Sequence, residues 1–246
     1  MVNIMAHRGA SDKAPQNTMA AFEKAIEMGA DFIELDVHLT KDDEIVVIHD
    51  KTVDSTTDGS GKVSEMTLEE IKQLDAGSYF DENFKGEQIP KLEEVLDLAK
   101  GEIGLNIELK TRRGKNKGIE NKVLNLIEEK NFDEELMFSS FSFESMEKIK
   151  ELDEDKKVGL IYITLPITAW HATRNHKKNH WADAANLWHW TVGKRHLRKL
   201  QDLGVEVNVW TPDGEKKIKK MAKAGVDGII TNKPGFAKEV IDQELE

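Results

Sequence analysis

The sequence predicts an α/β protein of the (β/α)8 TIM-barrel class, one domain over residues 1–246. Three observations lead there. Short apolar or alternating runs recur eight times, near residues 4, 33, 106, 138, 160, 185, 207 and 229, and most are followed by a segment of helical period. One such barrel takes roughly 250 residues, and the chain has 246. No Gly-x-Gly-x-x-Gly follows any strand, which disfavours the rival open doubly wound sheet.

The elements follow in order. NIMAHRG (3–9) reads as the first strand, and Asn17 or Thr18 caps a helix through MAAFEKAIEMG that Gly29 closes. In FIELDVHL (32–39), Ile33, Leu35, Val37 and Leu39 share one face while Glu34, Asp36 and His38 share the other. The turn TKDDE runs directly into IVVIHD (45–50), so the two arms form an antiparallel hairpin; centring the turn on Lys41 and Asp42 sets His49 across from Glu34. Residues 51–90 are polar and turn-rich, with one short helix opened by a capping box from Thr67 to Glu70, and read as an excursion from the main architecture. Beyond them come helix KLEEVLDLAK, strand GLNIELK (104–110), helix GIENKVLNLIEEK, strand LMFSSF (136–141), helix FESMEKIKEL and strand KVGLIYI (157–163). A weak strand within ADAANL (core 184–187), helix VGKRHLRKLQDLG, strand VEVNVWT (205–211), helix GEKKIKKMAKAG, strand VDGIITN and a last helix complete the series.

Composition excludes several functions. There is no cysteine, so disulfide and thiolate chemistry are ruled out and any metal is held by oxygen or histidine. A formal charge of −11 argues against nucleic acid and repels a phosphate-bearing substrate at long range, so any anion site is local. The opening MVNIMAHRG lacks a signal-peptide pattern, and VGLIYITLPITAW is too short and interrupted to span a bilayer. The expectation is a soluble, cytoplasmic protein without stable membrane insertion; no exposed apolar helix face is readable enough to assign an oligomer.

A barrel collects its functional groups at the C-terminal ends of its strands. Here those ends carry His7-Arg8-Gly9, Glu34 and Asp36, His49-Asp50, Glu108 and Lys110, Ser139 and Ser140, Asn186 and Trp210. Alternation turns Leu105, Ile107 and Leu109 toward helices, and Asn106, Glu108 and Lys110 inward. Taken singly, Glu34 reads equally well as a salt-bridge partner of Lys110, and His38 as a rim residue. Three converging carboxylates, however, need a counter-charge, and an all-oxygen set selects Mg²⁺, Ca²⁺ or Mn²⁺ over zinc. His7 and His49 can exchange protons near neutral pH, and Arg8 and Lys110 supply charge for an anionic substrate. The combination points to phosphoryl transfer without a covalent protein intermediate.

At these residues the chain resembles the glycerophosphodiester phosphodiesterase family. The matching pieces are AHRGAS (6–11), NT (17–18), GADFIELDVHLTKD (29–42), VVIHD (46–50), TTDGSG (56–61), LDAG (74–77), NIELK (106–110), SSF (139–141), WT (210–211) and AGVDGIITNKP (224–234). The resemblance implies a TIM barrel with a small insertion, residues 51–90, in the second βα unit. It implies Mg²⁺ or Ca²⁺, with Mn²⁺ as a further option, on Glu34, Asp36 and Glu108. His7 and His49 become acid and base, and Arg8, Lys110 and Trp210 substrate or phosphate contacts, with Gln16, Asn17 and Asn186 behind them. The implied reaction cleaves small glycerophosphodiesters to sn-glycerol 3-phosphate and an alcohol: the glycerol 2-hydroxyl attacks phosphorus, then water opens the cyclic phosphate.

Three positions depart from the family pattern. Gln16 stands where the family has Glu, Ser55 where it has Arg, and Lys91 where it has Thr. Gln16 loses a charge and gains two donors, which weakens metal binding or mis-aims a neighbour if it abuts the site. One alternative is therefore a catalytically weak phosphodiester-binding homologue; the other is a lysophospholipase D-type phosphodiesterase, which shares the barrel but accepts a lipid chain. The stretch 165–190 matches poorly. His176 and His180 have helical spacing, but with Lys177 and Lys178 between them they read, like His171, as a solvated face. Trp170, Trp181, Trp188 and Trp190 are candidates for a wall around the leaving alcohol.

Overall fold

The computed structural model describes residues 2–111, 118–163 and 181–245. Its strands are β1 (Asn3–His7), β2 (Phe32–Leu39), β3 (Ile45–Val47), β4 (Gly104–Leu109), β5 (Leu136–Ser140), β6 (Lys157–Tyr162), β7 (Ala184–Trp188), β8 (Glu206–Trp210) and β9 (Gly228–Thr231). The helices are α1 (Met19–Glu27), α2 (Leu68–Ile71), α3 (Leu92–Ala99), α4 (Ile119–Glu129), α5 (Phe143–Leu152), α6 (Lys194–Gln201), α7 (Glu215–Ala224) and α8 (Pro234–Leu245). Eight parallel strands close into a barrel through β9–β1 and β1–β2, confirming the TIM-barrel class. Among the described residues, no helix is long and apolar enough to cross a membrane.

Strand alternation sorts the side chains into two cores. Ile33, Leu35, Val37, Leu105, Ile107, Leu109 and Phe138 join one outer layer with helix residues such as Phe22, Leu96 and Ile149. Inside the barrel, Met5, Phe32 and Ile230 pack with Trp210. Above them the register sets His7 beside Glu34, Glu34 beside Asn106, Asp36 beside Glu108, and Glu108 beside Ser139. Polar residues of neighbouring strands thus reach the mouth together.

Local signals explain the ends of α1. Thr18 caps it by accepting from the Ala21 N–H at 3.3 Å, and Gly29, left-handed at φ 67°, follows its last turn.

The hairpin differs from its expected register. Its loop has three residues, 41–43, with Asp43 left-handed at φ 68°, closed by the Thr40 N–H on the Glu44 carbonyl at 3.0 Å. Val37 therefore faces Val47, and the register continued upward sets His49 level with Leu35 rather than Glu34. β3 ends at Val47, whose outward N–H donates to the Pro90 carbonyl at 2.8 Å, and one further bond to β2 follows, from the Ile48 N–H to the Asp36 carbonyl at 2.9 Å. His49 is delivered from the segment beyond the ladder. That segment, through Ile89, buries Ile48, Val53, Val63, Ile71, Ala76 and Ile89 in its own small cluster with Val46.

The narrow interior makes a barrel glycine testable. A Cβ on Gly228 would clash with Asn208 Oδ1. Gly228→Ala is expected to lower stability by about 1–3 kcal/mol through overpacking, measured by denaturant unfolding; a neutral substitution would show that the interior yields freely.

Candidate active site

The site is built from three buried acids at the ends of β2 and β4. One carboxylate oxygen each from Glu34, Asp36 and Glu108 lies within 4.8 Å of the others. Asp36 is the hub. Its Oδ1 lies 2.8 Å from Lys110 Nζ, and its Oδ2 lies 3.3 Å from Arg8 Nε and accepts from Asn17 Nδ2 at 2.8 Å. Glu108 Oε1 accepts from Lys110 Nζ, while Glu34 Oε2 accepts the Arg8 backbone N–H at 3.0 Å. The sharp turn after β1 makes this possible: Arg8, left-handed at φ 56°, aims both its backbone N–H and its guanidinium inward.

Electrostatics divides the acids. Burial alone would raise Asp36, but Lys110 and Arg8 overcome it and hold the carboxyl well below the usual carboxylate range. Burial and the Asp36 charge push Glu108 up to about 7, and burial with Asp36 and Glu108 raises Glu34 well above its ordinary value. Three carboxylates against Arg8 and Lys110 carry one negative charge too many. A hard divalent cation fits this set: it would leave one positive charge, the complement of a phosphodiester monoanion.

Two imidazoles flank the acids, each tied by Nδ1. His7 Nδ1 lies 2.6 Å from Asn232 Oδ1, whose own Nδ2 donates to Asp213 at 2.6 Å. His49 Nδ1 lies 2.8 Å from Asp50 Oδ1, and the other Asp50 oxygen accepts from Ser55 Oγ at 2.6 Å. Burial, reinforced by Arg8, lowers His7 to about 4. Burial also lowers His49, with Lys110 and Arg8 adding to it and Asp36 and Asp50 opposing.

His7, Arg8, Glu34, Asp36, Glu108 and Lys110 meet directly or through one another, with Asn17 against Asp36 and His49 at the flank. Gln16 bonds to Arg8: its Oε1 accepts from Arg8 Nη1 at 2.5 Å, and the same guanidinium reaches Asp36 through Nε at 3.3 Å. Ser55 stands on Asp50, whereas Lys91 pairs with Glu44 and Glu93 at the base of α3, outside the site. Trp210 donates its Nε1–H to the Asn186 carbonyl at 3.2 Å, so it offers a ring rather than a hydrogen bond; Asn186 accepts from Asn208 deep in the barrel. His38 Nε2 binds the His49 carbonyl at 3.1 Å and so steadies the neighbouring segment. His171, His176, His180 and Trp170 lie outside the described residues.

Sequence reasoning missed Asn232 and Asp213. For Asn232 a signal existed, since Gly228, Ile230 and Asn232 continue one inward face. Asp213 lies in a loop, where alternation gives none. Tyr79, whose hydroxyl accepts the Gln16 N–H at 3.2 Å, was equally unmarked.

Clustered carboxylates, two imidazoles and two cations in the mouth of a barrel are the groups that a phosphoric diester hydrolase uses, and that is the class of the chain's relatives. The chain belongs to the glycerophosphoryl diester phosphodiesterase family, whose pattern matches residues 7–236. It is 43% identical to a glycerophosphodiester phosphodiesterase of Caldanaerobacter subterraneus subsp. tengcongensis over 94% of either chain. It is 34% identical to one of Bacillus altitudinis over 99% of either chain. Among solved structures, an Oleispira antarctica phosphodiesterase in complex with the product sn-glycerol-3-phosphate superposes with a TM-score of 0.89 at 28% identity, covering 98% of this chain and 96% of that one.

The raised acids make stability depend on pH in a definable direction. Glu108, raised to about 7, and Glu34, raised in the same direction, keep in the fold protons that the unfolded chain sheds near pH 4.5, so their contribution to stability is lost as pH rises through the folded values. His7, lowered to about 4, works the other way only until the unfolded imidazole has deprotonated, at about pH 7.5. Stability of the metal-free protein should therefore fall above about pH 7.5, and Mg²⁺, taking the deprotonated acids, should offset the loss. Thermal unfolding in chelator and in Mg²⁺ checks this; a midpoint that Mg²⁺ leaves unmoved at pH 8 would count against it.

Proposed function

We propose that the protein is a metal-dependent glycerophosphodiester phosphodiesterase, releasing sn-glycerol 3-phosphate and an alcohol. The observation that carries this reading is the convergence of Glu34, Asp36 and Glu108 within 4.8 Å, between two imidazoles that each leave Nε2 unengaged. When bound by these acids, Mg²⁺ or Ca²⁺ would acidify a substrate hydroxyl and offset charge on the phosphoryl oxygens. Arg8 and Lys110 hold the phosphate. His7, whose Nδ1 meets a neutral amide, stays unprotonated and takes the proton of the glycerol 2-hydroxyl at Nε2. His49, whose Nδ1 meets a carboxylate, is the better holder of a proton and delivers it to the leaving alcohol. In the second step, water opens the cyclic phosphate with the two roles exchanged.

One observation favours a second reading. Phe141 and Ile163, at the ends of β5 and β6, and Trp190 beyond β7 are exposed, and Phe141 sits edge-on to Trp210 at 6.5 Å. An apolar rim of this kind suits the acyl chain of a lysophospholipid, as a lysophospholipase D-type enzyme requires. Gln16, bonded to Arg8 and not to the acids, supports an active site over a merely binding one.

A coupled glycerol 3-phosphate assay tests the reading. Release should stop in chelator and return with Mg²⁺ or Ca²⁺, and His7→Ala or His49→Ala should lower kcat by about 10²–10⁴-fold. Undiminished turnover in either variant would sink the assigned roles. Faster turnover of lysophosphatidylcholine than of glycerophosphocholine would select the second reading.

Gln16→Glu sets a carboxylate against the Arg8 guanidinium, where it competes with the phosphate. KM should rise several-fold with kcat little changed, measured by steady-state kinetics; a gain in kcat would show that the amide impairs the site.

A further inference from the structure

We infer that Asn232 and Asp213 are positioning residues that hold His7 in its Nδ1–H tautomer and so reserve Nε2 for proton transfer. The inference rests on the reading of His7 as a proton-transfer group.

The argument begins at Asp213, in the loop after β8. One of its oxygens accepts from Thr231 Oγ1 at 2.8 Å and from the Asn232 backbone N–H at 2.9 Å. The other accepts from Asn232 Nδ2 at 2.6 Å. A carboxylate only accepts, so the amide must present its NH₂ to Asp213 and its oxygen to the opposite side. On that side Asn232 Oδ1 meets His7 Nδ1 at 2.6 Å and Ser11 Oγ at 3.1 Å. An amide oxygen is likewise an acceptor, so the imidazole must be the donor and Nδ1 carries the proton. A flipped amide would set its oxygen against the Asp213 carboxylate, two acceptors with no proton between them. Orientation passes from Asp213 through Asn232 to the ring.

The chain is anchored at both ends. Ser11 Oγ also donates to the His7 carbonyl at 2.9 Å, and the Asp12 N–H donates to the Asn232 carbonyl at 3.1 Å. These bonds join the turn after β1 to the loop after β9, so the groups that set the tautomer of an N-terminal histidine come from the last fifth of the chain. His49 reaches the same tautomer by direct contact with Asp50, but its partner is charged. The amide at 232 orients His7 without placing a carboxylate on its ring, the distinction a base needs from an acid.

Long-range ¹H–¹⁵N correlation spectra at pH 7.5, in chelator and in Mg²⁺, report the tautomer of His7 directly, with His7→Gln identifying its signals. The wild-type protein should show the Nδ1–H pattern in both. Asp213→Asn removes the acceptor that forbids an amide flip. It should admit the Nε2–H form and lower kcat roughly ten- to a hundredfold with KM within about twofold, whereas Ser11→Ala, which spares the carboxylate, should leave the tautomer in place. An Nε2–H pattern in the wild type, or an Asp213→Asn protein with unchanged tautomer and kcat, would overturn the inference. If Asp213→Asn does not fold, the wild-type spectrum decides alone. Because that spectrum needs no substrate, a fixed tautomer in a protein that turns over no glycerophosphodiester would refute the activity and not the relay.

Discussion

Everything at the mouth of this barrel depends on Asp36 being charged while buried. An isolated carboxylate in that position would take up a proton, and one beside Glu34 and Glu108 even more readily. Lys110 at 2.8 Å, Arg8 at 3.3 Å and the Asn17 amide at 2.8 Å prevent it. With Asp36 charged, burial and its neighbouring charge push Glu34 and Glu108 up toward the protonated form. Ionising all three acids leaves the site one positive partner short, an imbalance that a divalent cation would correct.

The fold makes that arrangement affordable by drawing the groups from three adjacent strands, β1, β2 and β4, and the turns that follow them. β2 and β4 lie side by side and supply acids and lysine in register. Closure of β1 between β2 and β9 brings His7 against Glu34 on one side and Asn232 on the other. His49 arrives from beyond the hairpin, on a segment steadied by His38 and by its own apolar cluster. The two imidazoles consequently sit in unlike surroundings, one beside an amide and one beside a carboxylate.

Gln16 shows how a departure from the family pattern gains meaning from its contacts. As a sequence difference it threatened the metal. In the structure it touches Arg8, the residue that also pairs with Asp36. Ser55 likewise proves to be a partner of Asp50, while Lys91 belongs to surface ion pairs. The three positions were equally conspicuous in the sequence and have unequal weight in the site.

Alternation and helical period were enough to read the barrel, the inward face of FIELDVHL and the acids of β2 and β4, because strand parity is a local property of the backbone. Composition alone excluded thiolate chemistry and pointed to oxygen ligands. The same parity marks Asn232, though without its partner it carried no message. The hairpin register escaped because one left-handed residue, Asp43, lengthens the loop and slides every later pairing by one position. Which carboxylate is paired, which histidine meets an amide and where Gln16 points were decided only by the closed barrel. These are contacts between residues far apart in the chain, and their charges and tautomers exist only once closure brings them within hydrogen-bonding distance.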